Sequence, residues 1–115
     1  MPYKKPVSVL VVIHTADNDI LLLERAAHPG YWQSVTGSQE DDEALIDTAV
    51  REVGEETGLA ITATDLRDWQ QINTYEIFPE WRHRYAPGVT QNTEHVFSLE
   101  VLRDVTIRVA PGEHL

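Results

Sequence analysis

From Asp42 to Thr57 the stretch "DEALIDTAVREVGEET" permits little besides an amphipathic helix, and Gly58 marks where that helix stops. Ile46, Ala49, Val50 and Val53 follow the i, i+3, i+4, i+7 series of one apolar face. About a third of a turn away, Glu52, Glu55 and Glu56 cluster as helical neighbours. One face is made for a core and the other is a patch of carboxylates. The surroundings sharpen the oddity: residues 40–56 hold eight acids and one arginine, within a chain of 115 residues whose net charge is −10.

The rest of the sequence reads as strands. "VSVLVVIH" (7–14) is β-branched and nearly continuous, as in a strand buried on both faces. After the turn at "ADND" comes "ILLLER", then a break at Pro29-Gly30 and a strand at "YWQSVTG". Beyond the helix, "LAITA", "LRDWQQINTYEIF", "TEHVFSLEVL" and "VTIRVA" are further strand candidates. One helix among strands predicts a mixed sheet in an α/β or α+β arrangement, over a single domain spanning residues 1–115. The absence of cysteine from the sequence fits a reducing cytoplasm, and no apolar run reaches the roughly 20 residues that span a bilayer. The acidic balance argues against a nucleic-acid partner, and no obligate protein partner or membrane partner is indicated.

The acids on the helix admit two readings. A solvated face is the commoner, with Asp47–Arg51 and Arg51–Glu55 as ordinary i,i+4 pairs. Yet three glutamates near a helix C-terminus sit at the end of the dipole that favours cations. A hard divalent ion would relieve them, since carboxylate oxygens suit Mg²⁺ or Mn²⁺. Other sites fit less well. "DNDILLLE" lacks the glycine and spacing of an EF-hand, the five histidines are dispersed, and neither a Walker loop nor a G-x-S-x-G elbow occurs.

Gly37, five residues, Glu43, seven residues, then "REVGEETGL" resembles the Nudix box, G-x5-E-x7-R-E-U-x-E-E-x-G-U, at all nine specified positions. The resemblance implies the Nudix fold, a mixed β-sheet packed against helices, and a hydrolase cleaving a diphosphate linkage with Mg²⁺, for which Mn²⁺ can substitute. It implies that Glu52, Glu55 and Glu56 face the metal as catalytic residues, with Glu52 and Glu56 as its ligands; Arg51 reads as a residue that orients the glutamates. Gly37 is expected to give the loop entering the helix its backbone freedom, and Asp42 to serve as an N-cap acid.

The flanks "KKPVSVLVVI", "WQSVTGS" and "RHRYAPGVTQNTE" are similar to the Nudix branch acting on dihydroneopterin triphosphate in bacterial folate biosynthesis. That similarity implies removal of pyrophosphate to leave the monophosphate. It implies substrate contacts from Lys4, Arg25, Thr36 and the segment Tyr75, Glu76, Ile77, Phe78, and a late glutamate, Glu113, as a further metal ligand or base. For Phe78 a place in the core is the alternative. Arg82, His83 and Arg84 form a basic cluster suited either to phosphate or to bracing the Pro87-Gly88 loop. Relatives of this branch continue for about another helix, so the C-terminal helix is expected to be missing from this chain, exposing an apolar sheet face. Two other functions fit the same residues: hydrolysis of a nucleoside triphosphate such as dATP or a damaged dNTP, and a non-catalytic nucleotide-binding module.

Overall fold

A computed structural model describes residues 3–24, 30 and 32–109. Its frame is a four-stranded mixed sheet in the order β4-β1-β6-β5, formed by β1 (Val7–His14), β4 (Val35–Ser38), β5 (Leu66–Glu76) and β6 (Gln91–Glu100). β1 lies antiparallel to β4 and parallel to β6, and β5 runs antiparallel to β6. The expected mixed sheet is therefore present, with β1 central and carrying the β-branched run. Val9, Val11 and Ile13 are each at most 1% exposed. They point to the same side as Val35, Phe97 and Leu99, and the single α-helix among the described residues, α1 (Leu45–Thr57), closes that side with Ala49 and Val53. Burying each such valine contributes about 1.5–3 kcal/mol of transfer free energy.

Several boundaries differ from the pattern read off the sequence. Within "ILLLER" the described residues, 20–24, form a two-residue strand, β2 (Leu23–Glu24), paired with β3 (Trp32–Gln33), with Ile20 making an isolated bridge to His14. "LAITA" is no strand: Thr62 N donates to Asp65 Oδ2 at 2.9 Å, and this capping box starts a short 3-10 helix at Ala63–Asp65. Residues 105–109 pair with no strand among the described residues. Instead Arg108 N donates to Thr57 O at 2.7 Å, satisfying a carbonyl that the end of α1 leaves open.

The helix itself begins three residues later than its pattern suggests. Ala44 is the N-cap residue, without a side-chain bond, so Asp42 does not cap it. The buried face is also rotated. Thr48, Ala49, Val53, Glu56 and Thr57 are interior, Ile46 packs partly against the core, and Val50 stays half-exposed. Glu56 therefore belongs to the buried face, and the apolar and acidic stripes share a boundary instead of standing apart.

α1 packs chiefly on β4 and β1. Beyond Leu66, β5 is exposed along its length, with Trp69, Ile72 and Tyr75 all half-exposed on the surface. A bulge between Asp68 and Gln71, with Gln70 at φ 53°, twists this outer strand, a device that discourages edge-to-edge pairing. No helix among the described residues is long and apolar enough to cross a membrane.

The two glycines at the end of α1 have opposite roles. Gly58 sits at φ 77° and donates to Gly54 O at 3.0 Å, and a Cβ there would meet Arg108 Cβ at 3.1 Å. Gly54 is interior to the helix, and a Cβ there meets nothing nearer than 3.7 Å. We predict that Gly58→Ala destabilises the fold by about 1–2 kcal/mol and that Gly54→Ala stabilises it by about 0.5–1 kcal/mol. Urea unfolding of both variants checks this; shifts of the same sign would contradict the assignment.

Candidate active site

The loop between β4 and α1 is tied down by Glu43. Its Oε1 accepts from Glu40 N at 2.8 Å, and its carbonyl accepts from Gln39 Nε2 at 2.8 Å. Two helical turns later Arg51 reaches back to it with a fork: Nη2 to Oε1 at 2.7 Å and Nε to Oε2 at 3.3 Å. Bidentate arginine–carboxylate pairs fix geometry as well as energy. The guanidinium of Arg51 also donates to Ser38 O at 3.0 Å, to Glu52 Oε1 at 2.8 Å and to Glu55 at 3.3 Å. One cation thus fastens loop, strand and helix together and bonds two of the three glutamates. Its fork partner is Glu43, and not Asp47 as an isolated helix would suggest.

These interactions set the charges. The Arg51 bonds hold the Glu43 carboxyl at about 2, well below its ordinary 4.5, against a burial effect that pushes it up. Arg51 is in turn held firmly protonated, chiefly by Glu43. The three box glutamates differ in environment. The Glu55 side chain is 54% exposed, that of Glu52 is 13% exposed, and Glu56 is 3% exposed. Burial raises the Glu52 carboxyl, while a hydrogen bond from Glu56 and the charge of Arg51 pull it back.

Gly37 explains how Glu52 reaches its position. It lies within β4 and lacks the positive φ that the loop reading of the sequence required. A Cβ on it would fall 2.0 Å from Glu52 Cδ and 2.3 Å from Glu52 Oε1. The carboxyl group of Glu52 occupies the space that any other residue at position 37 would fill, so glycine is needed for close approach and not for a turn.

The donor set suits a divalent ion. Among the described residues no three acidic or histidine side chains form a ready-made cage. Mg²⁺, however, is commonly held by one or two carboxylates, with substrate phosphates and water completing its octahedron. Glu52 and Glu56, adjacent, oxygen-bearing and largely withdrawn from water, match that requirement.

The other expected residues lie elsewhere. Thr36 and Ser38 alternate with Gly37 along β4 and so face away from α1; Thr36 Oγ1 donates to Val9 O at 2.9 Å. Exposed Lys4 donates its backbone N–H to Arg84 O at 2.9 Å. Tyr75 and Glu76 end β5, three strands from β4, or about 14 Å across the sheet. Ile77 is interior, whereas Phe78 is 48% exposed and packs edge-on to Trp81 at 5.2 Å, so Phe78 is no core residue. Arg82 Nε donates to Ile77 O at 3.1 Å, bracing the chain there. Arg25 and Glu113 lie outside the described residues.

A family model for the NUDIX domain matches residues 4–114. The chain belongs to the Nudix hydrolase family. Its curated relatives include the dihydroneopterin triphosphate diphosphatase of Escherichia coli K12, 50% identical over 100 residues, covering 84% of this chain and 67% of the relative. The Haemophilus influenzae protein of the same name is 47% identical over 107 residues, covering 90% and 68%. The solved structure of the E. coli dihydroneopterin triphosphate pyrophosphohydrolase superposes with a TM-score of 0.89 at 46% identity, covering all of this chain and 80% of that one. This Nudix chain thus spans about two thirds of the length of the curated relatives it matches.

The depressed Glu43 carboxyl gives a signed prediction. Because its folded value lies near 2 and its ordinary value is 4.5, its stabilisation is complete above about pH 4.5 and fades as pH falls towards 2. Glu43→Gln should lower stability at pH 7 while flattening the loss between pH 4.5 and 2. Urea titrations across that range measure it, and parallel curves for both proteins would refute the Arg51–Glu43 account.

Proposed function

We propose that this Nudix chain is a divalent-cation-dependent pyrophosphohydrolase that converts 7,8-dihydroneopterin triphosphate to its monophosphate and pyrophosphate. The observation that carries the reading is the buried Glu52–Glu56 pair, of which Glu52 is seated against Gly37 and held by Arg51. Relatives about half identical over most of the chain, named for that substrate, support the choice of triphosphate. A chain without cysteine suits such a role in a reducing cytoplasm, as one step towards folate.

Glu52 and Glu56 would hold Mg²⁺ or Mn²⁺, with Glu113 proposed as a third ligand. Bound there, the ion would offset the charge of carboxylates and polyphosphate and act as a Lewis acid on a phosphoryl oxygen. The chain's own residues do the rest. Arg51 fixes the rotamers of Glu52 and Glu55 through its bonds to both. Glu55, the most exposed of the three, would take a proton from an attacking water on its solvent side. Glu56, buried at the helix–sheet boundary, keeps water from the inner side of the pair. Lys4 and Arg25 supply positive charge for phosphate oxygens, Thr36 a hydroxyl, and Tyr75 to Phe78 a wall for the heterocycle.

Pyrophosphate release from dihydroneopterin triphosphate tests the reading. Hydrolysis should require Mg²⁺ or Mn²⁺, and Glu56→Gln should lower kcat at least a hundredfold, about 2.7 kcal/mol in barrier height. Activity unaffected by a chelator, or by Glu56→Gln, would refute the two-carboxylate site.

A further inference from the structure

The sheet face turned away from α1 carries a second polar group that the glutamate site leaves unused. In β6, Asn92 and Glu94 alternate onto this face; Asn92 registers with Tyr75, and Glu94 with Ser8 on one side and Asn73 on the other. Asn92 is 2% exposed and donates from Nδ2 to Ser8 Oγ at 2.7 Å and to the Tyr75 hydroxyl at 3.0 Å. Its Oδ1 is buried and meets no donor among the described residues, a costly arrangement that calls for an explanation. The bond from Asn92 tethers the hydroxyl of Tyr75 while the residue stays 46% exposed.

Beside this tether, Gln71 Nε2 donates to Asn73 Oδ1 at 3.1 Å, which leaves the Asn73 amide hydrogens for Glu94. Glu94 is half-buried; burial raises its carboxyl and the bond from Asn73 opposes that rise. A steered carboxylate beside an exposed aromatic ring, at the end of the sheet where Lys4 enters, is a built recognition surface and not a solvated charge.

We propose that Glu94, steered by Asn73 and flanked by the ring of Tyr75, reads the heterocycle of the substrate by accepting two hydrogen bonds from a 2-amino-4-oxo-pyrimidine edge. The inference rests on the pyrophosphohydrolase reading above and names its specificity residue. The ring N3–H and the exocyclic amine of that edge are adjacent donors, matched to a carboxylate as the arginine fork is. An ionised carboxyl group has about four acceptor positions, and Asn73 uses one. Adenine presents one donor and one acceptor there, so its ring nitrogen would face a carboxylate oxygen with no proton between them. Sites built on buried polar groups reject such mismatches strongly. Asn92 acts as a positioning residue by holding Tyr75 for stacking.

The reach is short. Glu94 stands two strands from β4 and one residue along from the row Gly37–Val9–His95, about 10 Å in the plane of the sheet. β4 is an edge of that sheet, so a triphosphate tail can turn round it from the Glu94 face to Glu52.

The test compares kcat/KM on dihydroneopterin triphosphate, dGTP and dATP for the unaltered chain, Glu94→Gln and Asn73→Ala. The unaltered chain should favour the two 2-amino-4-oxo substrates over dATP. A glutamine offers one acceptor and one donor, the complement of adenine, so Glu94→Gln should lower the pterin-to-dATP and dGTP-to-dATP ratios at least tenfold. Asn73→Ala should move them the same way by a smaller factor. Equal changes on all three substrates, in either variant, would overturn the role of Glu94 and leave the pyrophosphohydrolase reading standing. Failure of the unaltered chain to hydrolyse any of the three would overturn both.

Discussion

The Glu52 carboxyl lies where residue 37 would carry a side chain, and most of the site follows from that contact. It requires glycine in the middle of a strand, where glycine packs poorly. It brings α1 close enough to β4 for Ala49 and Val53 to reach Val9, Val11 and Val35. It also draws a carboxylate out of water, which raises the proton affinity of Glu52. Arg51 makes that arrangement tolerable. Its bonds to Glu43, Ser38, Glu52 and Glu55 turn a run of like charges into a fastened network.

The network leaves Glu56 inside and Glu55 outside, so three residues of one type acquire three different environments. A helix tuned for stability alone would put cations in its last turn, and α1 has none there. Local rules broken in this way are usual at functional sites, where the fold elsewhere compensates for the cost. Here the compensation is the valine-rich centre of β1 and the glycine cap at φ 77°.

Much of this was legible in the sequence, because periodicity reports faces. The run Val7–His14 announced the central strand, "TEHVFSLEVL" announced most of β6, and the spacing of Glu52, Glu55 and Glu56 put them on one side of a helix ended by Gly58. What was not legible depends on contacts between distant residues. Position 37 reads as loop flexibility until Glu52 is seen against it. The buried stripe turns towards Glu56 and Thr57 because the end of α1 is closed by residues near Arg108, which no helical wheel includes. Of the strand expected at "VTIRVA", residues 105–109 have the right composition but pair with no strand among the described residues. Asn92 and Glu94 left no distinctive signal within the polar first half of β6, "QNTEH", and only the register with Tyr75 and Asn73 makes them meaningful.

The central claim is that glycine at position 37 creates the cation site by admitting Glu52. Mn²⁺ binding, followed by electron paramagnetic resonance in the absence of any substrate, tests it most directly in the unaltered chain and in Gly37→Ala. The account predicts Mn²⁺ binding at least tenfold weaker in Gly37→Ala, about 1.4 kcal/mol, with the circular dichroism of the helix retained. Equal Mn²⁺ affinity in the two folded proteins would contradict it.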